Sequence, residues 1–237
     1  MSIKIVLFDL DGTLLPMEQE TFAKAYFVGL AKKLAPHGYE QEKLIQSIWA
    51  GTRVMVKNDG AKTNESVFWD FFASVYGEKV RADEPYFEAF YRENFDEIQA
   101  VCGYTPKARE VLDSVKHLGF RAALATNPIF PAIATKKRIS WAGLHEKDFE
   151  FITTYENSRY CKPNLQYYVD IVNELGVSPV DCVMVGNDVG EDMVAQELGM
   201  KVFLLTDCLI NRHGTDISVY PHGTFDDLIT YLKNLSK

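Results

Sequence analysis

The stretch Ile5-Val6-Leu7-Phe8-Asp9-Leu10-Asp11-Gly12-Thr13-Leu14 decides how the rest of the chain is read. An apolar run ends in two carboxylates, a glycine and a threonine. On an extended backbone, residues two apart project to the same side, so Asp9 and Asp11 aim at one place. At an effective dielectric of about 20, unit charges roughly 4 Å apart repel by about 4 kcal/mol. A cation or a proton is therefore expected beside them. The same letters allow a second reading, because Asp-Gly next to alternating apolar residues is also a hairpin turn signal. The remainder of the chain decides between the two.

The 237 residues suffice for one large domain or two small ones. With 47% hydrophobic and 24% charged residues, the composition is that of a globular chain with a substantial core. A formal net charge of −8 argues against a broad polyanion-binding surface, so no nucleic-acid partner is expected. A few local basic groups can still hold a small phosphorylated ligand. Cys102, Cys161, Cys182 and Cys208 lie far apart without a C-x-x-C pair, which reads as free thiols in a reducing compartment. The apolar run from Ile3 is short and Asp9 interrupts it, so no secretory signal is expected there. No stretch approaches the roughly 18 apolar residues of a membrane span. The expectation is a cytoplasmic protein that does not engage a membrane.

Ile3 to Phe8 reads as a short, fully buried strand. After Pro16 the pattern turns helical. Phe22, Tyr26, Leu30 and Leu34 share one helical face, ended by Pro36 to Gly38, and Leu44, Ile45 and Ile48 start a second helix towards Arg53. Val67, Phe68, Phe71, Phe72 and Val75 form a third face that closes at Gly77. Phe87, Phe90, Tyr91 and Phe95 mark a fourth. These aromatics read as the packing of a small helical bundle.

From Thr105 helices alternate with short apolar strands. Thr105-Pro106 opens a helix with Ala108, Val111, Leu112, Val115 and Leu118 inward, followed by a strand from Phe120 to Ala125. A helix from Pro131 to Ala142 comes next, and its Lys136-Lys137-Arg138 run reads as a solvated face. A strand is expected at Phe151 to Thr154, then a helix with Leu165, Tyr168, Val169 and Val172 inward. Cys182 to Val185 and Lys201 to Leu205 are further strands, separated by a helix with Met193, Val194 and Leu198. Thr206 to Gly223 reads as a long loop. Thr224-Phe225-Asp226-Asp227 is a capping box for the last helix.

This alternation implies a parallel sheet with helices on both faces and ligands beyond the carboxyl ends of its strands. The expected fold is α/β: a Rossmann-like doubly wound parallel sheet from residues 1–15 and 102–237, with 16–101 inserted as an all-helical cap domain. What stands at the strand ends is then informative. The first gives Asp9 and Asp11, the second Thr126 and Asn127; Lys162 follows the third, and the fourth gives Asp188 with Asp192 four residues on. A hairpin at Asp11-Gly12 explains none of this.

In that order the chain resembles the haloacid dehalogenase-like hydrolase superfamily, in the branch with a helical cap after the first strand. The family pattern D-x-D-G-T-[LV] is matched by Asp9-Leu10-Asp11-Gly12-Thr13-Leu14, the strand-end hydroxyl by Thr126 and the lysine by Lys162. Gly186-Asn187-Asp188-Val189-Gly190-Glu191-Asp192 matches its acidic motif. The resemblance implies that Asp9 attacks phosphorus to form an aspartyl-phosphate. Asp11 would protonate the leaving alcohol and later deprotonate the hydrolytic water. Mg²⁺, which prefers oxygen ligands, would sit on Asp9, Asp188 and the main-chain carbonyl of Asp11. Asp192 would stand behind them, orienting the site or pairing Lys162, or serve only as a helix-surface acid. Thr126, the Asn127 amide and Lys162 would hold the phosphate oxygens.

The acid at Asp11 also bears on the reaction. Members of the family that cleave carbon–halogen bonds or phosphonates usually lack it, so its presence implies a phosphate monoester of a small metabolite. A phosphomutase is the runner-up, although mutases of this type often carry Val where this chain has Thr13. Two readings of other classes are a phospho-accepting signalling module and a binding protein that has lost turnover. In the insert, Arg53, Lys57, Asn58 and Asn64 lie near a break between helices, and Arg53 and Lys57 are candidates for reading the substrate. Cys161 reads as a bystander.

Overall fold

A computed structural model describes residues 3–236. Strand β1 (Ile5–Phe8) is buried along its whole length. It pairs in parallel on one side with β2 (Arg121–Leu124) and on the other with β3 (Cys182–Gly186). Burying each such side chain contributes roughly 1.5–3 kcal/mol, which is why a run without polar residues takes the centre. β4 (Lys201–Leu205) and β5 (His222–Gly223) complete a five-stranded parallel sheet of order β2-β1-β3-β4-β5. The chain runs from β1 to β2 on one side, then crosses to β3 on the other. Such a switch point opens a crevice at the carboxyl ends.

Four α-helices stand between β1 and β2 ahead of the sheet's own crossover: α1 (Gln19–Leu34), α2 (Gln41–Val56), α3 (Asn64–Tyr76) and α4 (Glu84–Glu93). Their starts are set by side chains that accept from otherwise unpaired N–H groups: Glu18 for α1, Glu40 for α2 and Thr63 for α3. α5 (Lys107–His117) then leads into β2, α6 (Ala132–Trp141) and α7 (Leu165–Glu174) connect β2 to β3, and α8 (Phe225–Leu235) follows β5. Thr224 caps α8 in the expected capping box with Asp227. No helix among the described residues is long and apolar enough to cross a membrane.

Alternate residues of β1 serve opposite faces of the sheet. Val6 and Phe8 join a cluster with Val111, Leu112 and Val115 of α5 and Leu228 and Leu232 of α8, whereas Ile5 and Leu7 pack with Tyr167, Tyr168 and Ile171 of α7. The inserted helices join the first cluster through aromatic rings. Tyr26 of α1 meets Phe130 edge-on at 5.4 Å, and Phe95 stacks on Trp141 of α6 at 5.0 Å.

The structure departs from the sequence-based expectation in three places. Phe151 to Thr154 makes only an isolated bridge, Ile152 to Leu124. The Phe151 carbonyl and Thr153 N–H pair with Leu124, but the Tyr155 N–H, next on that edge, donates to the Phe130 carbonyl at 3.1 Å and ends the pairing. The Asn157 side chain caps the opposite edge at the Ile152 carbonyl and the Thr154 N–H. Met193–Leu198 is a 3₁₀ helix, not an α-helix. The loop from Thr206 contains β5 and folds back on the segment that follows β3, with Val189 donating to the Ile210 carbonyl and Ile210 to that of Asn187.

Candidate active site

β1 ends by delivering Asp9 to the crevice. One carboxylate oxygen accepts from Lys162 Nζ at 2.9 Å and the other from the Thr13 hydroxyl at 3.1 Å. Lys162 is 1% exposed and also donates to Asp192 Oδ1 at 2.6 Å. Burial alone would favour loss of its proton, but Asp192 and Asp9 outweigh that and hold the ammonium well above the usual lysine range. Burial raises the Asp192 carboxyl, with Lys162 working the other way. Asp192 Oδ2 in turn accepts from the Asp188 N–H at 3.0 Å. A Cβ at Gly186 would collide with that carboxylate, so the end of β3 needs glycine for Asp192 to close beneath it.

Gly12, at φ +82°, turns the chain immediately after Asp11. The chain then closes through Gly12 N–H to the Leu15 carbonyl and Leu15 N–H to that of Leu10, both 2.8 Å, and no antiparallel strand follows. A Cβ on Gly12 would run into the Asn187 amide. That amide accepts from Thr13 Oγ1 at 3.0 Å and donates to the Cys208 carbonyl at 2.7 Å, tying the loops after β1, β3 and β4 together.

Asp11 has a partner that the sequence reading assigned to solvent. Of the Lys136-Lys137-Arg138 run, Lys136 pairs with Glu146 and Lys137 with Asp96 near the surface, but Arg138 is 1% exposed. Its guanidinium forms an ion pair with Asp11 Oδ2 and lies 4.5 Å over the Phe130 ring. The solvated-face expectation is therefore wrong for Arg138. The signal was its position on one helical face with Ala134 and Trp141, both buried. Burial raises the Asp11 carboxyl, Arg138 offsets part of the rise, and Asp9 adds to it. The second oxygen, Asp11 Oδ1, is buried without a hydrogen-bond partner.

At the end of β2, Thr126 lines the same cavity, and its carbonyl is fixed by Thr153 Oγ1 at 2.7 Å and the Tyr167 hydroxyl at 2.8 Å. The Asn127 amide donates to Glu191 at 3.0 Å, while its carbonyl oxygen is buried and unpartnered. Burial also raises the Glu191 carboxyl, and sequence reasoning had given that residue no role. After β3, Asp188 Oδ1 accepts from the N–H groups of Gly190 and Glu191 at 2.8 and 3.1 Å. Asp188 Oδ2 takes Arg212 Nη1 at 2.6 Å, and the other arm of Arg212 donates to Gln19 of α1 at 3.1 Å. Arg212 was hidden in what reads as featureless loop.

Asp9, Asp11, Thr126, Asn127, Asp188 and Asp192 thus all line one cavity of about 340 Å³, with Lys162 directly beneath it. That volume lies in the range of small-molecule pockets, roughly 300–1,000 Å³. Arg53 and Lys57 are exposed and stand outside its lining. Asn58 and Asn64 are buried and structural: Asn58 donates to Asn64 Oδ1 at 2.9 Å, and Asn64 donates to the Pro128 carbonyl at 3.2 Å. Asn64 also reaches Cys161 Sγ at 3.3 Å, and burial pushes that thiol far above its usual range. Such a thiol is not a nucleophile.

The acids offer oxygen donors only, which suits a hard divalent cation. Five carboxylates line the cavity (Asp9, Asp11, Asp188, Glu191, Asp192) against three paired cations, Lys162, Arg138 and Arg212. That imbalance, with the orphaned Asp11 Oδ1, leaves a deficit of positive charge of the right sign for such an ion. Among the described residues no three His, Cys, Asp or Glu side chains converge on one point. An ion here would accordingly use Asp9 and Asp188 with main-chain oxygen.

Residues 3–199 match the family model for haloacid dehalogenase-like hydrolases. The Bacillus subtilis (strain 168) protein YhcW is 25% identical over 203 residues, which span 86% of this chain and 83% of that one. The phosphoglycolate phosphatase of Agrobacterium fabrum is 25% identical over 193 residues, spanning 81% of this chain and 76% of its own. Among solved structures, a 2-haloacid dehalogenase from Pseudomonas syringae superposes with a TM-score of 0.64 at 20% identity, covering 98% of this chain and 99% of that one. The fold, the ordered strand-end residues and the match over residues 3–199 agree: the chain belongs to the haloacid dehalogenase-like hydrolase family.

Proposed function

We propose that this protein is a Mg²⁺-dependent phosphatase of small phosphorylated metabolites, with Asp9 as nucleophile, Asp11 as acid and base, and α1–α4 as the cap. The observation that carries the reading is the second carboxyl group. Asp11 is partly exposed on the same cavity as Asp9, keeps one buried oxygen unpartnered and has a raised affinity for its proton. A leaving alkoxide needs such a donor, and a departing halide does not.

Lys162 and Thr13 hold both Asp9 oxygens and so limit the rotation of the nucleophile. Asp9 attacks phosphorus, the ester P–O bond breaks, and its electron pair leaves on the alcohol oxygen, which takes the Asp11 proton. Water then gives a proton back to Asp11 while its oxygen attacks phosphorus, and the P–O bond to Asp9 breaks. Lys162, the Thr126 hydroxyl and the Asn127 amide meet the charge on the phosphoryl oxygens. Asp9, Asp188 and the Asp11 carbonyl would hold Mg²⁺, which would supply Lewis-acid stabilisation of that same charge. Support from relatives is at the level of the activity, since one is named a phosphoglycolate phosphatase.

The test is multiple-turnover release of phosphate from para-nitrophenyl phosphate, with and without Mg²⁺. Release that depends on Mg²⁺ is expected. Stoichiometric labelling without turnover would favour a phospho-accepting module, and neither labelling nor release would leave a binding protein.

A further inference from the structure

The cavity over Asp9 is polar on one side only. Towards the strand ends it presents carboxylates, Thr126, Asn127 and the Arg212 guanidinium. On the side formed by α1–α4, no lysine, arginine, histidine, aspartate or glutamate is among the described lining residues. That wall is built from side chains such as Phe22, Phe27, Trp49, Met55, Val56 and Trp69. Its polar atoms are few and most are engaged, the buried Trp69 Nε1 being one that has no hydrogen-bond partner. The Tyr26 and Tyr91 hydroxyls bond each other at 2.8 Å, the Thr52 hydroxyl donates to the Ile48 carbonyl at 3.0 Å, and Gln19 accepts from Arg212.

The rim has the same character. Trp49 is 46% and Val56 39% exposed, and both line the cavity, whereas their charged neighbours, Arg53 on α2 and Lys57 just after it, do not. Trp49 lies 5.2 Å from the Phe27 ring. A substrate with a second acid group or several hydroxyls would lose water against this wall and find little there beyond the Trp69 N–H to replace it. A hydrocarbon would lose only unfavourable water contact.

We propose that the substrate is a phosphate monoester whose organic part is apolar and uncharged, with its phosphate at the strand ends and its hydrocarbon among α1–α4. This rests on the phosphatase reading and narrows it.

Ethyl and hexyl phosphate have leaving groups of similar basicity and differ only in hydrocarbon length. Each further methylene removed from water corresponds to about a fourfold gain (~0.8 kcal/mol). Hexyl phosphate is therefore expected to exceed ethyl phosphate in kcat/KM by about tenfold or more. The phosphate ester of 6-hydroxyhexanoate, which ends in a carboxylate, is expected to lose that gain. Trp49→Ala should cut the hexyl-to-ethyl ratio about threefold or more, because it removes apolar wall at a half-exposed position that does not endanger the fold. A flat series, a preference for the carboxylate ester, or an unchanged ratio in Trp49→Ala would overturn the substrate class and leave hydrolysis standing. No turnover of any ester, para-nitrophenyl phosphate included, would overturn the hydrolytic reading and this inference with it.

Discussion

The Arg138 guanidinium is buried against the Asp11 carboxylate, so the proposed acid of the site is held from α6, outside the family motifs. Breaking one half of a buried pair leaves the other uncompensated. Arg138→Met and Asp11→Asn should therefore be strongly non-additive. In urea unfolding, the double variant is expected to lose at least ~1 kcal/mol less than the sum of the single losses. Additive losses would mean that the pair does not form in solution.

Asp9→Asn keeps the size of the side chain and removes the nucleophile. Turnover should fall by at least about a thousandfold with near-unchanged circular dichroism, since a covalent nucleophile supplies several kcal/mol. Residual activity above that level would exclude Asp9 from the role.

Asp11→Asn should discriminate between leaving groups. An alkyl phosphate, whose alkoxide must be protonated, is expected to lose far more kcat than para-nitrophenyl phosphate, whose phenolate leaves unaided. Equal losses on the two substrates would count against Asp11 as the acid.

Arg212 occupies an oxygen of Asp188 that a divalent cation would need. Removing it in Arg212→Gln takes away both a competing hydrogen bond and a like charge. The Mg²⁺ concentration for half-maximal activity is expected to fall several-fold, and an increase would show that Arg212 assists the ion or the phosphate instead.

Away from the site, Asp148 accepts from Arg109 at 2.5 Å, Lys116 at 2.8 Å and the His145 N–H at 2.8 Å. The Arg109 hydrogen bond, ahead of the others, holds its carboxyl well below the usual range. A group depressed in the folded state adds stability that is present above its unfolded pKa, about 3.9, and lost as pH falls below it. Asp148→Asn should cost about 2 kcal/mol in urea at pH 7, the scale of hydrogen bonds to a charged group. The deficit should shrink steadily below about pH 4.

The parts of the site legible in the sequence are those whose chemistry is local. Asp9 and Asp11 announce themselves by spacing, and Asp188 by the glycine and acids around it, because each is fixed by the strand that precedes it. Arg138 and Arg212 were missed because their roles depend on partners far along the chain, Asp11 and Asp188. A basic run on a helix or an arginine in a loop looks solvated until the fold brings a carboxylate to it. The Phe151–Thr154 strand was overcalled for a related reason. Its residues have strand character, but the Tyr155 N–H that would extend the pairing with β2 goes to the Phe130 carbonyl instead. For the insert, apolar spacing revealed helices but not which aromatic faces would be left open as a cavity wall.

The central place of β1 in the sheet has a consequence for how the molecule is made. Ile5 pairs with Arg121 on one side and Cys182 on the other, so β1 is made before either neighbour and has no sheet partner until much of the chain that follows exists. At about 5–20 residues per second, its second partner emerges roughly 10–40 s after it. During that interval an apolar segment with two open edges must be kept from pairing with other chains. The four α-helices are translated next and bury their aromatic faces in the same cluster as Val6 and Phe8, so they are the next material available to shelter it.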